Sequence, residues 1–252
     1  QDALNLAWQL LKQFPNSVNL YNIIGVANQG LGKLEEAIEA FNKLVSIKPD
    51  YANAYCNIGN NLKKLSKPEE AIEAYTKALS IKPDYAEAYN NLGNALQEQG
   101  KLDEAIEAYN KAISIKPDYA EAYFNKGVTL KEQGRLDEAI KAYNKALSIK
   151  PDFAEAHYNL GIVRQGQGKL EEAIEAYNKA LAIKPDYVSA KMNLSAAKNL
   201  AVPAWHISMM NDLARNNAYL EALELAITDK DLVLEIGTGS GLLAMMSANA
   251  GA

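Results

Sequence analysis

The chain has 252 residues, a hydrophobic fraction of 48%, a net charge of −5 and one cysteine, Cys56. A lone cysteine excludes an intrachain disulfide framework and is typical of a reducing compartment, so we expect a cytoplasmic protein. No apolar run reaches the roughly 18 residues of a membrane span, and the acidic balance disfavours nucleic acid as the main partner. The chain begins with Gln1 rather than Met, which leaves a preceding targeting segment open.

Most of the chain is a repeat of 34 residues. Residues 1–17 fit the second half of a row, and five complete rows follow without an insertion at 18–51, 52–85, 86–119, 120–153 and 154–187. Position 8 of every row is Gly, position 20 is Ala, position 24 is aromatic and position 32 is Pro. Residues 188–201 fit a degenerate first half of a sixth row, in which Lys191, Ser195 and Lys198 replace the expected residues.

Each row has the pattern of two helices. In residues 86–119 the apolar residues Tyr89, Leu92 and Leu96 recur at helical spacing until Gly100, and a second apolar stripe runs from Leu102 to Pro117. The rows resemble the tetratricopeptide repeat, a unit of two antiparallel helices. We therefore expect an all-α fold, a right-handed superhelix (α-solenoid) with a concave wall.

The concave wall is the predicted binding surface, because in this repeat class the first helix of each row lines it. An asparagine stands at position 6 in five rows, and polar or aromatic side chains join it at positions 9 and 5. The predicted groove residues are Asn57, Asn91, Asn125, Asn159 and Asn193, with Asn60 and Asn94, and with Phe124 and Tyr158 toward the more apolar C-terminal half.

An asparagine column can hydrogen-bond the backbone of an extended peptide whatever its side chains. This arrangement is similar to the repeat domain of O-GlcNAc transferases, and it predicts a protein or extended peptide as the ligand. The alternative is that these asparagines are solvated repeat consensus. Repeat modules that grip chaperone C-termini carry lysines at positions 2 and 5, which this chain lacks.

Residues 202–252 follow a different pattern. An apolar strand at 232–236, which contains Glu235, runs into a turn with Gly237, Gly239 and Gly241. Such a turn lets a ligand approach the backbone at the end of a first strand. It has neither the Gly-Lys-Ser/Thr of a phosphate loop nor the dinucleotide spacing. It resembles motif I of S-adenosylmethionine-dependent methyltransferases, which implies a short piece of an α/β fold here.

A helical stretch upstream carries His206, Met209, Asp212 and Arg215 at spacings of three. Together with the strand and turn, this order resembles the start of protein arginine methyltransferases and contradicts an O-GlcNAc transferase. By resemblance, Arg215 would pair with the methionine carboxylate, His206 and Met209 would line the cofactor pocket, and the glycines would hold the cofactor backbone. Glu235 replaces the more usual Asp.

The resemblance does not extend to the carboxylates that hold the guanidinium or to a substrate-binding barrel. We therefore predict no catalytic residue, no metal site and no bound S-adenosylmethionine for these 252 residues alone, and we expect residues 229–252 to be disordered, to lean on the solenoid or to contact another chain. The predicted function is a substrate-recruiting interaction scaffold of a protein arginine methyltransferase. The alternative is a stand-alone adaptor without enzymatic activity.

Overall fold

The structure is a computed structural model, and it describes residues 2–201 together with the single positions 217 and 221. Residues 2–201 are all helix and turn, and this part of the chain contains no strand. The helices are α1 (Asp2–Leu11), α2 (Val18–Gly30), α3 (Leu34–Ile47), α4 (Ala52–Lys64), α5 (Pro68–Ile81), α6 (Ala86–Glu98), α7 (Leu102–Ile115), α8 (Ala120–Glu132), α9 (Leu136–Ile149), α10 (Ala154–Gly166), α11 (Leu170–Ile183) and α12 (Val188–Ala201). The predicted all-helical solenoid is confirmed over this range.

Backbone conformation explains where the helices end. The turn between the two helices of a row contains a residue in the left-handed region, such as Gly100 with φ +73°, where a side chain is strained. In the second row Ser66 takes this place with φ 58°, so that row departs from the glycine rule. The second helices end one residue before the Lys-Pro pair, because proline cannot continue a helix.

The turn between rows has its own side-chain contact. The lysine that precedes each proline lies over the aromatic ring three residues later, with the Nζ atom 4.6–5.6 Å from the ring centroid. A cation over a ring face is attracted by the ring quadrupole. The contact recurs in all five rows, in the pairs Lys48–Tyr51, Lys82–Tyr85, Lys116–Tyr119, Lys150–Phe153 and Lys184–Tyr187.

The core of each row lies between its two helices. The aromatic at position 24 is fully buried in every row, and the alanine at position 20 is buried beside it. The glycine at position 8 faces this ring so closely that a Cβ atom on Gly93 would lie 2.5 Å from Tyr109 Cε1. The small residue at position 8 therefore lets the two helices approach closely, because the ring of position 24 lies directly opposite it.

Neighbouring rows stack through helix contacts. Each second helix packs on the first helix of the next row, and from α4 onward the first helices of neighbouring rows also contact one another. The second helices of neighbouring rows contact each other less. The first helices therefore lie on the crowded, concave side of the solenoid, where the predicted groove residues stand.

Candidate functional site

The position-6 asparagines are half-buried on the concave side, and several of them hydrogen-bond to the preceding row. Asn91 Nδ2 donates to Asn60 Oδ1 at 2.9 Å, and Asn125 Nδ2 donates to Asn90 Oδ1 at 3.0 Å. Farther along, Asn193 Nδ2 donates to the Tyr158 hydroxyl at 3.2 Å. These bonds join consecutive rows, so the column has a structural role that the sequence prediction did not include.

The other two members of the column differ. The Asn159 amide donates to the Glu155 carbonyl at 2.9 Å, and its Oδ1 accepts from Lys131 Nζ at 2.7 Å. Asn57 makes no side-chain hydrogen bond among the described residues, although it is as half-buried as the others. Asn57 is therefore the member of the column whose amide is least committed to the fold.

The position-9 asparagines orient the buried tyrosines. The Tyr75 hydroxyl donates to Asn60 Oδ1 at 2.8 Å, and the Tyr109 hydroxyl donates to Asn94 Oδ1 at 2.8 Å. Burial raises the pKa of both tyrosines, so their hydroxyls keep the proton that these bonds need. Asn60 and Asn94 thus connect the groove floor with the core.

The aromatic residues predicted for the groove are partly committed to packing. The ring of Phe124 lies 4.7 Å from that of Phe153 and 6.0 Å from that of Tyr143, measured between centroids. Tyr158 packs in the same way on Tyr187 at 4.8 Å. Both rings are half-buried. Part of each ring packs against its aromatic neighbours, and the rest remains accessible to a ligand in the groove.

Charge and polarity change along the concave surface. Its first row exposes Ile23 and Val26, the next two rows present amides, and Met192 in α12 is 67% exposed. Lys131 of α8, whose Nζ donates to Asn159 Oδ1 at 2.7 Å, has its pKa lowered mainly by desolvation. The groove therefore offers apolar ends around a polar middle.

The residues assigned to the cofactor by resemblance, His206, Met209, Arg215, Glu235, Gly237, Gly239 and Gly241, lie outside the described residues, as does the strand at 232–236. Within residues 2–201, no group of three His, Cys, Asp or Glu side chains could hold a metal ion. In the same range, no helix is long and apolar enough to cross a membrane.

Comparison with known families agrees with the geometry. Models described as TPR repeat match residues 30–66, 59–100, 93–134 and 129–168, and a model described as tetratricopeptide repeat matches 154–187. These matches run over more than half of the chain. The chain belongs to the tetratricopeptide repeat family. The repeats assigned from the residue columns are thus members of a known structural unit.

Solved structures of repeat proteins resemble this one. The crystal structure of MamA is 31% identical, has a TM-score of 0.60, and is matched over 66% of this chain and 97% of MamA. YrrB, described as a TPR protein with an unusual peptide-binding site, is 24% identical with a TM-score of 0.61, over 77% of this chain and 97% of YrrB. The second likeness shows the repeat fold alone.

A curated relative matches only a short part of the chain. The arginine N(omega)-methyltransferase of Streptomyces achromogenes subsp. streptozoticus is 57% identical over 51 residues, which are 20% of this chain and 14% of the relative. The tetratricopeptide repeat chain thus spans a small fraction of that enzyme's length.

Proposed function

We propose that the concave surface of this repeat protein binds an extended segment of a partner protein through its asparagine amides. The observation that carries the proposal is the column of position-6 asparagines on the inner side of the solenoid. Each amide has two N–H donors and one carbonyl, so an amide that gives one hydrogen bond to the preceding row keeps further capacity for a ligand. A peptide backbone presents the matching groups at regular spacing.

We further propose that the bound partner is a substrate for arginine methylation, with S-adenosylmethionine as the methyl donor. The support is the arrangement of His206, Met209 and Arg215 before the turn at 237–241, together with the 57% identity to an arginine methyltransferase over 51 residues. A cytoplasmic location and a protein rather than nucleic-acid partner stay predictions.

Asn57→Ala tests the peptide site with the least disturbance of the fold. Because Asn57 has no side-chain partner among the described residues, its loss removes only a contact to the ligand, and alanine is the better helix former. We expect a short extended peptide selected on the immobilised chain to bind about three- to tenfold more weakly, the worth of one hydrogen bond. Fluorescence anisotropy measures the affinity.

The matched control is Asn110→Ala, the same change at an exposed position of α7. We expect it to leave the affinity unchanged. A second control is the same peptide with alternate backbone amides N-methylated, which should bind poorly to the unaltered chain. Equal affinity of the Asn57→Ala variant and the unaltered chain, or full binding of the N-methylated peptide, would remove the backbone-recognition proposal.

The methylation part has a separate test. A photoreactive residue in place of the exposed Met192 should cross-link partners in the source organism. We expect mass spectrometry to find methylated arginine in the cross-linked proteins at higher frequency than in proteins captured by a photoreactive residue at position 110. Cross-linked partners without methylarginine would leave an adaptor and contradict the recruiting role.

A further inference from the structure

A polar pocket of about 350 Å³ lies on the concave surface where the first three rows meet. Its lining combines three amides, two lysines and a tyrosine hydroxyl: Gln29, Asn60, Asn91, Lys63, Lys64 and Tyr75. None of these side chains is acidic. The pocket therefore differs from the rest of a chain whose net charge is −5.

Hydrogen bonds inside the pocket occupy the acceptors and leave donors. Asn60 Oδ1 accepts both from the Tyr75 hydroxyl at 2.8 Å and from Asn91 Nδ2 at 2.9 Å, which accounts for both of its lone pairs. No described residue accepts from Asn60 Nδ2, so both of its hydrogens remain. Fixing the carbonyl in this way also fixes the orientation of the amide.

Each of the two other amides accepts one hydrogen bond at its oxygen and keeps N–H donors. Gln29 Oε1 accepts from Asn61 Nδ2 at 3.4 Å, which leaves the Gln29 NH₂ group as donor. Asn91 Oδ1 accepts from Asn90 Nδ2 at 3.4 Å, and one Asn91 N–H remains after its bond to Asn60. Together with Lys63 and Lys64, the pocket thus offers more hydrogen-bond donors than acceptors.

The lysine pair is particular to the second row. Positions 12 and 13 are Lys63 and Lys64 there, whereas the other rows carry Gln29–Gly30, Gln97–Glu98, Lys131–Glu132, Gln165–Gly166 and Asn199–Leu200. The remaining rows therefore have at most one cation at this level. Among these six rows, a pair of cations at positions 12 and 13 therefore occurs in the second row alone.

A carboxylate already reaches one edge of this site. Glu98 Oε1 of the third row lies 3.3 Å from Lys63 Nζ, with the two side chains 51% and 30% exposed. This contact shows that a carboxylate can reach Lys63. Because it is exposed, the ion pair is weak and can be exchanged for a ligand.

We infer that this donor-rich pocket binds a carboxylate of the extended partner, either an Asp or Glu side chain or a C-terminal carboxylate. Hydrogen bonds from several donors to a charged acceptor are stronger than those between neutral groups. Amides that hold any backbone do not set a register, whereas one carboxylate site fixes which residue of the peptide lies at the second row. The inference rests on the proposed peptide-binding function of the groove.

Three short Ser/Ala peptides with acetylated, dye-labelled N-termini serve as probes. The first has a central Glu and an amidated C-terminus, the second has Gln in its place, and the third is the Gln peptide with a free C-terminal carboxylate. We expect the Glu peptide to bind the full chain about tenfold more tightly than the Gln peptide in low-salt buffer, because its charge is added to the same backbone contacts. Fluorescence anisotropy gives the affinities.

Variants of the pocket sharpen the test. The double change Lys63→Gln and Lys64→Gln should make the Glu and Gln peptides bind alike, whereas Lys77→Gln, an exposed lysine on α5, should leave their difference intact. Glu98→Gln removes the internal competitor for Lys63, so it should strengthen binding of the Glu peptide. A gain in affinity cannot come from a loss of folded protein.

The outcomes are distinguishable. Equal binding of all three peptides to the unaltered chain overturns the carboxylate pocket and leaves the groove, while binding of none of them overturns both. An equal loss of Glu-peptide affinity in the Lys77→Gln variant and the double variant assigns the effect to net charge and also overturns the pocket. Tighter binding of the third peptide than of the first supports the pocket and identifies a chain terminus as its occupant.

Discussion

Replacing Gly161 with alanine is expected to lower the free energy of unfolding by about 1–3 kcal/mol, the usual cost of overpacking a core. A Cβ atom at this position would lie 2.5 Å from Tyr177 Cε1 and 2.7 Å from Cδ1. The ring cannot retreat easily, because it is fully buried and its hydroxyl donates to Gln165 Oε1 at 2.8 Å. Urea unfolding followed by the helical circular dichroism signal measures the change.

The same helix contains its own control. At Gly166, the last residue of α10, a Cβ atom would meet nothing within 4 Å, so Gly166→Ala is expected to stabilise the protein by about 0.4–1 kcal/mol through reduced freedom of the unfolded chain. The two substitutions are chemically identical and differ only in what the new methyl meets. Stabilisation by Gly161→Ala would show that the ring is not the obstacle.

A second change tests the ring itself. Tyr177→Leu removes the atoms that the new methyl would meet, so the double variant should lose less stability than the two single losses added together. Because contacts in a repeat array pass only between neighbours, hydrogen exchange should quicken in α10 and α11 more than in α4 and α5. Uniform quickening would contradict a local clash.

The sequence predicts the fold closely because each local signal points to the same structure. Helix α6 ends at Glu98, before Gly100, and α7 ends at Ile115, before Pro117, as the turn residues indicate. All five rows repeat the proline and four of them repeat the glycine, so an error in one row would conflict with the others. The periodic apolar stripes then leave the stacked helix pair as the arrangement that buries them.

The groove is less predictable because it depends on which side chains meet across rows. The bond from Asn91 to Asn60 joins residues 31 apart, whereas that from Asn125 to Asn90 joins residues 35 apart, so no fixed spacing reveals them. The lysine pair at 63 and 64 is visible in the sequence, but its significance depends on the amides that surround it. The residue at position 9 does correlate with the residue at position 24 in the first three rows. Asparagine at position 9 occurs with tyrosine at position 24 in the second and third rows, and valine occurs with Phe41 in the first row.

In the fourth row, the residue at position 9 provides no hydrogen-bond acceptor for the tyrosine at position 24. Tyr143 is fully buried, and its hydroxyl has no hydrogen-bond partner among the described residues. Its position-9 neighbour is Val128, which offers no acceptor, and Lys131 at position 12 is a donor committed to Asn159. Burial raises the pKa of the Tyr143 hydroxyl, which therefore stays protonated and unpaired.

Tyr143→Phe is expected to raise the free energy of unfolding by about 1 kcal/mol, because it removes a buried polar group that has lost its contacts with water. Phe41 opposite Val26 shows that the family fold accepts this pairing. In contrast, Tyr109→Phe should lower the free energy of unfolding by about 1–2 kcal/mol, since the Tyr109 hydroxyl donates to Asn94 at 2.8 Å and contacts Gln97 at 3.2 Å. Urea titrations of the two variants compare the same lost atom in two rows.

Supplying the acceptor provides the reverse test. Val128→Asn recreates the position-9 residue of the second and third rows, where the asparagine carbonyl accepts from the tyrosine hydroxyl at 2.8 Å. This substitution should cost less stability in the unaltered chain than together with Tyr143→Phe, because only the tyrosine can use the new acceptor. Equal costs in the two backgrounds would mean that the Tyr143 hydroxyl is not short of a partner. The Tyr177 hydroxyl finds its acceptor at position 12, in Gln165, whereas the fourth row has Lys131 there. A favourable coupling would show that an acceptor at position 9 stabilises a tyrosine at position 24 where position 12 offers none, and would thereby link the polarity of the groove floor to the stability of the core.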